Sequence, residues 1–375
     1  MADSLHIADF LDPVEEVRYS SVGYLPSQIG HQIDRYSEEF PEVKNCDIAI
    51  VFCPEYRGDG PAANEDGHII RSELYALYQW HTDMRLADLG NIKSGSSLSD
   101  TVAALKTVIK EVTAAGKTIL IVGGSHDLTL AQYYAFVDNK KVIDVSCIDS
   151  LLDLELNAEE KSRHFLMEIL TGEPNYVRHY NHIGFQSYMV HPNLVETLDK
   201  LRFDCYRVGH VRENIEEMEP VIRQSDLISF DISSIANGYA PCNRLSPNGL
   251  TGEEACALLR FAGMNSSAHS IGIYGYRSET DMHNLTAKQV AHMIWYFIDG
   301  RSRGKKEPSF IDRDAFNEYH TAFAEVSTTF LQSKKTGRWW MQMPDSQFIA
   351  CSYKDYVVAS SNEIPERWLR AQERS

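Results

Sequence analysis

Short apolar, β-branched runs recur through the middle of the chain, with longer amphipathic segments between them. The runs predict strands at Asp47–Phe52, Thr118–Val122, Val142–Ile148, His182–Phe185, Cys205–Val208, Asp226–Phe230 and Ser270–Tyr274. The intervening segments carry helical spacing. After Ser99, the residues Val102, Leu105, Val108, Ile109 and Val112 fall on one helical face, and Gly116 closes the run. Thr251 with Glu254 reads as a capping box ahead of Ala257, Leu258 and Phe261, with Gly263 as the stop. Thr286 with Gln289 repeats the device ahead of Val290, Met293, Ile294 and Phe297, ending at Gly300. Strand–helix alternation of this kind predicts an α/β fold with a mostly parallel sheet covered on both faces.

The pattern changes after Gly300. Arg301, Arg303, Lys305 and Lys306 surround Gly304 ahead of Pro308, which predicts a solvated linker or turn. A helix is expected from about Asp312 to Leu331, then a stretch rich in aromatics: Trp339, Trp340, Phe348, Tyr353, Tyr356 and Trp368. The expected organisation is an N-terminal arm over residues 1–40, an α/β/α domain over 41–300 and a C-terminal extension over 301–375. The extension is short for a core of its own, so it should pack on the main domain.

Composition narrows the function classes. The 375 residues are 43% hydrophobic and 24% charged, which fits a globular chain. A net charge of −17 argues against generic nucleic-acid binding, which needs concentrated Lys and Arg, and against anionic membrane surfaces. The seven cysteines form no CxxC pair and their number is odd, so a reducing cytoplasm is expected. Met1-Ala2-Asp3-Ser4 is acidic and no apolar signal core follows it. No apolar run is long enough to span a bilayer.

Candidate chemistry sits where three predicted strands end: Gly123-Gly124-Ser125-His126-Asp127, Asp149-Ser150-Leu151-Leu152-Asp153 and Ser229-Phe230-Asp231-Ile232-Ser233. In a parallel sheet these segments share the carboxyl edge, where open α/β sheets bind ligands. One imidazole and three carboxylates, from His126, Asp149, Asp153 and Asp231, suit a hard or borderline divalent ion such as manganese. Salt bridges to Arg or Lys are the other way to satisfy buried carboxylates. Gly123-Gly124 lacks both the GxGxxG and the Gly-Lys-Ser/Thr spacing, and reads as a tight turn that positions His126. No Gly-x-Ser-x-Gly elbow is present, and no cysteine has an obvious histidine partner.

From about Asp47 to Gly300 the sequence resembles the ureohydrolase family of arginase, agmatinase and formimidoylglutamase. That family carries Gly-Gly-x-His, then Asp-x-His-x-Asp, then Ser-x-Asp-x-Asp. Further echoes are Gly58-Asp59-Gly60 with Ile70-Arg71, the stretch Leu86-Ala87-Asp88-Leu89-Gly90, and Pro247-Asn248-Gly249-Leu250-Thr251. The resemblance implies a three-layer α/β/α fold, two manganese ions and hydrolysis of a C–N bond in a linear amidine or guanidine. It also suggests a homo-oligomer, without fixing its number.

Carried over by position, His126, Asp149, Asp153 and Asp231 match one complete metal position. Asp153 also matches the aspartate that hydrogen-bonds the attacking hydroxide. The second position is broken, because Leu151 replaces its histidine and Ser233 its aspartate. Gly275 stands where the substrate-side glutamate is expected, and Glu279 could substitute only if the loop differs. His164 lies roughly where the family keeps a substrate-side histidine, though a surface helix histidine is the better description. Tyr274, Tyr276 and Arg277 are candidate pocket residues or, equally, ordinary strand-end packing, while His182 on its strand should point away from His179 and His191. One manganese ion is therefore expected rather than two. Two functions stay open: a one-metal hydrolase of amidines or guanidines with Asp153 and His164 at its site, and a catalytically impaired homologue that binds or assembles.

Overall fold

A computed structural model describes residues 6–15, 23–60 and 67–373. Its central ten-stranded sheet runs in the order β1-β4-β3-β5-β10-β9-β6-β7-β8, with β2 also on β4. The strands are β1 (Leu11–Asp12), β2 (Asp34–Arg35), β3 (Ile48–Phe52), β4 (Leu86–Ile92), β5 (Thr118–Val122), β6 (Ile143–Ile148), β7 (Val177–Phe185), β8 (Asp204–Arg207), β9 (Leu227–Asp231) and β10 (Ser270–Tyr274). Within this sheet β1 alone is antiparallel. β3, β5, β6 and β10 are buried along their whole length; β3 and β5 accordingly run almost continuously apolar, while β6 carries the buried Asp144 and Ser146 between its apolar residues. β9 and β10 lie between β5 and β6, which brings the carboxyl ends of all four strands side by side. The fold is the expected α/β class with a mostly parallel sheet.

Several local expectations differ. β4 was not foreseen as a strand because Asp88, Gly90 and Asn91 interrupt its apolar pattern. Asp88 is buried there and bonded by Arg71 Nε and Tyr75 Oη, each at 2.8 Å. The helix Leu98–Ala114 starts from a Ser97–Asp100 capping box, not from Ser99. The Thr251–Glu254 box forms as expected, but its helix runs through Gly263 to Met264. Thr286 and Gln289 form no capping box. Asp281 instead accepts from the Thr286 and Ala287 N–H groups, and Gln289 donates to the Gly252 carbonyl. That helix spans Leu285–Gly304, so Arg301 and Arg303 belong to it and not to a linker.

Gly263 and Gly300 are contact points where these two helices cross, not stops. A Cβ on Gly263 would stand 2.1 Å from the Phe297 carbonyl oxygen, and one on Gly300 2.1 Å from that of Arg260. Backbone atoms cannot give way as a flexible side chain can. Gly300→Val is therefore expected to lower stability by about 3 kcal/mol or more. A denaturant midpoint equal to the parent's would show that the helices tolerate separation.

The helix expected from Asp312 to Leu331 is instead a β-hairpin. β11 (Phe316–Phe323) pairs with β12 (Val326–Ser333), and β13 (Trp339–Gln342) and β14 (Phe348–Cys351) complete an antiparallel four-stranded sheet. β11 alternates inward and outward residues, the period of a strand with one covered face. Ala324 and Glu325, both at positive φ, form the two-residue turn, a conformation usually marked by Asn or Gly. Tyr319, Trp339 and Tyr356 stack together, with ring centroids 5.1 to 5.2 Å apart. Helices Tyr353–Ser360 and Glu366–Glu373 end the chain's described part. The buried guanidinium of Arg223 ties this sheet to the helix Met218–Arg223, donating to the carbonyls of Trp339 at 2.9 Å and Cys351 at 3.2 Å. Among the described residues, no helix is long and apolar enough to cross a membrane.

Candidate metal centre

β5 delivers its chain into a turn that only glycine fits. Gly123 and Gly124 both have positive φ. A Cβ on Gly124 would meet the Leu128 side chain at 2.2 Å and the carbonyl oxygens of Cys53 and Glu55 at 2.8 Å. The turn carries His126 over the ends of β9 and β6. Its Nδ1 lies 2.9 Å from Asp153 Oδ2, 3.3 Å from Asp149 Oδ2 and 3.8 Å from Asp231 Oδ2. Its Nε2 is 2.9 Å from Ser229 Oγ, which in turn contacts Thr129 Oγ1 at 2.6 Å. Phe165 packs edge-on against the ring, with centroids 4.8 Å apart. One ring nitrogen is thus fixed by a hydroxyl while the other faces three carboxylates, the arrangement that orients a metal-binding imidazole.

The electrostatics are those of crowded, largely buried acids. Burial and the charge of Asp149 push Asp153 well above the usual carboxylate range, and the same two causes raise Asp231 to about 6. Burial would raise Asp149 too, but hydrogen bonding and charge from His126, aided by Ser233, hold it at about 2. Among the described residues no Lys or Arg pairs with these three aspartates, so the salt-bridge alternative finds no support. Ligand atoms of His126, Asp149 and Asp153 all lie within 4.8 Å of one another. One nitrogen and two carboxylates so grouped, with Asp231 Oδ2 3.8 Å from His126 Nδ1 at their side, are a donor set suited to a divalent ion of manganese type.

The second metal position expected from the family pattern is occupied by other contacts. Ser233 Oγ donates to Asp149 Oδ1 at 2.7 Å, and the Leu151 N–H donates to the same oxygen at 3.2 Å. The Ser233 N–H holds Asp231 Oδ1 at 2.7 Å. Leu151 puts an apolar side chain, with no donor atom, into the lining of the cleft above the cluster. That cleft holds about 250 Å³ and is also lined by Asp59, Arg163, Arg244 and Arg277. Gly275, at φ +87°, borders it with no side chain, and a Cβ there would approach Asp231 Oδ2 to 3.1 Å.

The sequence profile of the arginase family matches residues 59–299, well over half of the chain. The chain belongs to the arginase family. A formimidoylglutamase of Hahella chejuensis is 25% identical over 193 residues, a match that covers 48% of this chain and 56% of that protein. The matched stretch therefore spans little more than half of that relative. Among solved structures, Trypanosoma cruzi formiminoglutamase with Mn2+ has a TM-score of 0.65 at 17% identity, covering 73% of this chain and 98% of that one. Formimidoylglutamase of Bacillus subtilis gives 0.64 at 15% identity, with 78% and 97% covered. Agmatine ureohydrolase of Thermoplasma volcanium gives 0.57 at 19% identity, with 75% and 96% covered. At these identities the structural likeness speaks for the fold.

Other residues of this arginase-family chain are placed as follows. His164 precedes the helix Phe165–Thr171 and does not line the cleft, whereas its neighbours Ser162 and Arg163 do. Glu279 is exposed on the loop after β10, outside the cleft lining. Tyr274 and Tyr276 are buried beneath the site, and Tyr274 Oη donates to Gln132 at 2.8 Å. Arg277 does reach the cleft, pairing with Asp59 at 2.7 Å. His182 is apart from His179 and contacts the Asp149 carbonyl at 3.2 Å, behind the candidate ligands. Two contributors were missed. Ser229 lies two residues before Asp231 on β9, hence on the same face, so the strand period could have found it. Arg244 comes from the long loop after β9, and no local signal points to it.

Proposed function

We propose that this chain hydrolyses a C–N bond in a small linear amidine that carries carboxylate groups, using one manganese ion held by His126, Asp149, Asp153 and Asp231. The observation that supports it is the convergence of His126 Nδ1 and three carboxylates, none of them ion-paired to Lys or Arg among the described residues, at the floor of an open cleft. A manganese ion bound there would lower the pKa of water and polarise the amidine. Asp153 would hold the ion through one carboxylate oxygen and orient the attacking water through the other. Leu151 walls one side of the cleft with apolar surface and limits competing water.

The cleft also supports an anionic substrate over a cationic one. Gly275 offers no acid to pair with an ammonium or guanidinium tail. Arg244, by contrast, lines the cleft with no ion-pair or hydrogen-bond partner among the described residues. This favours a formimidoyl derivative of an acidic amino acid over agmatine. Arg244→Gln is expected to raise KM for such a substrate by about tenfold or more, with kcat little changed, because a charge-assisted contact would be lost from binding alone. Equal kinetics in the variant would remove Arg244 from recognition.

A non-catalytic role is the second reading, favoured by Ser233 and Leu151 closing the second position. Elemental analysis after manganese loading, with product release measured on formimidoylglutamate, agmatine and arginine, separates the two. About one equivalent of metal with formamide released from formimidoylglutamate is the expected result. Metal without turnover on any substrate would favour the binding role, and neither metal nor turnover would overturn the proposal.

A further inference from the structure

The outer strands of the two sheets differ in how far they are protected. β1 and β2, at one edge of the larger sheet, have two residues each. β8, at its other edge, has four, and Arg370 donates to Asp204 at its start. β14 closes one side of the smaller sheet with four residues, and its Cys351 carbonyl is taken by Arg223. β11, on the other side, runs for eight residues with no bulge in its pairing to β12. It contains no Pro, Gly or Lys. Short length, prolines, lysines and bulges are the means by which a free edge is kept from pairing with another chain, and β11 has none of them.

Its outer edge is open. The two-residue turn makes Phe323 and Val326 a mutually hydrogen-bonded pair. The alternation of an antiparallel ladder then turns the N–H and C=O groups of Glu318, His320 and Ala322 outward. All three residues are exposed, and no hydrogen bond meets those backbone groups among the described residues.

The edge is also complementary to itself. A second β11, laid antiparallel across a two-fold axis, can match outward groups near the strand centre in three ways. Glu318 faces its own copy, His320 faces its own copy, or Glu318 and His320 face each other. The first sets like charges opposite, and the second shortens the overlap by running into the turn. The third pairs Glu318 with His320 twice and spans Phe316 to Ala322. The groups it needs are available. Arg313 Nε approaches Glu318 Oε1 at 3.5 Å, and the other oxygen has no partner among the described residues. His320 Nδ1 contacts Thr329 Oγ1 at 3.2 Å, which leaves Nε2. Tyr319 falls on the axis, where its stack with Trp339 and Tyr356 would continue into the second copy as a cross-strand aromatic pair. The covering helix leaves room. Tyr356 touches Tyr319, Phe330 and Trp339, which centres the helix Tyr353–Ser360 over β12. The two β12 strands would stand three strand spacings apart, about 14 Å, more than two packed helices need.

We infer that β11 pairs with β11 of a second copy of this chain, antiparallel about a two-fold axis at Tyr319, so that the two small sheets become one of eight strands. The interface lies in a segment outside the residues matched by the family profile, and it is independent of the metal centre and of the proposed hydrolysis.

Sedimentation velocity of the full chain over a dilution series tests it. The mass of the parent should double as concentration rises. His320→Glu sets four acids along the shared edge and should require at least about tenfold more protein for the same doubling. Adding Glu318→Lys to His320→Glu restores opposite charges in this register alone, and should bring the doubling back to the parent's range. Both positions are exposed, so the unfolding midpoints should match the parent's. Equal masses in the parent and His320→Glu at every concentration, or a double variant that behaves like His320→Glu, would each overturn the assignment.

Discussion

Asp153→Ala is expected to lose bound manganese and, with it, about a thousandfold or more of the hydrolytic rate. Two roles converge on this one carboxylate. It stands 2.9 Å from His126 Nδ1 in the donor cluster, and it is the acid whose surroundings most favour holding a proton. Stability should respond differently. Asp153 is buried beside Asp149, and the cost of ionising it there is what raises its pKa. Replacing it with alanine relieves that repulsion, so the unfolding midpoint of the metal-free protein should hold or rise. Function lost with stability kept is the result that separates a site residue from a structural one. Parent-level metal and turnover in the variant would remove Asp153 from the site.

Leu151→His combined with Ser233→Asp is expected to raise bound manganese from about one equivalent to about two. Both changes are needed. With Ser233 in place, its hydroxyl occupies Asp149 Oδ1 at 2.7 Å, an oxygen that a second ion would share. With Leu151 in place, the cleft wall offers no donor on the other side. The double variant supplies an imidazole and a carboxylate to a spot already bordered by Asp149 and Asp231. Turnover should increase with the second ion, because two ions depress the pKa of a shared water further than one. Metal content that stays at one equivalent would mean that Leu151 and Ser233 do not stand in the second position.

The core of the site was legible because each contributor ends a strand. Thr118–Val122, Ile143–Ile148 and Leu227–Asp231 are largely apolar runs: Asp149 follows the second at once, His126 and Asp153 come a short turn after theirs, and Asp231 closes the third. Once such runs are parallel, their polar ends must share an edge. Arg244 was illegible for the opposite reason: it rides on a loop whose path is set by packing and not by a period. His164 lies close in sequence to a true cleft residue, Arg163, and a shift of one position is enough to turn a side chain away. In the fold, Gly263 and Gly300 imitated helix stops because glycine serves both as terminator and as the residue that lets backbones touch. The hairpin Phe316–Ser333 was mistaken for a helix because its turn, Ala324–Glu325, lacks the Asn or Gly that would mark it. Asp88 hid β4, since a buried, paired carboxylate inside a strand looks like a loop until its arginine is found.

The guanidinium of Arg223 bears on where this protein can be cut. It donates to the carbonyls of Trp339 and Cys351, and its ring-face contact is Trp340, 4.4 Å away. An expression boundary drawn at residue 299, where the family likeness ends, would strip all three away and leave a buried cation with Glu219 as its remaining charged partner. The segment that resembles the relatives is therefore not the smallest piece worth cloning.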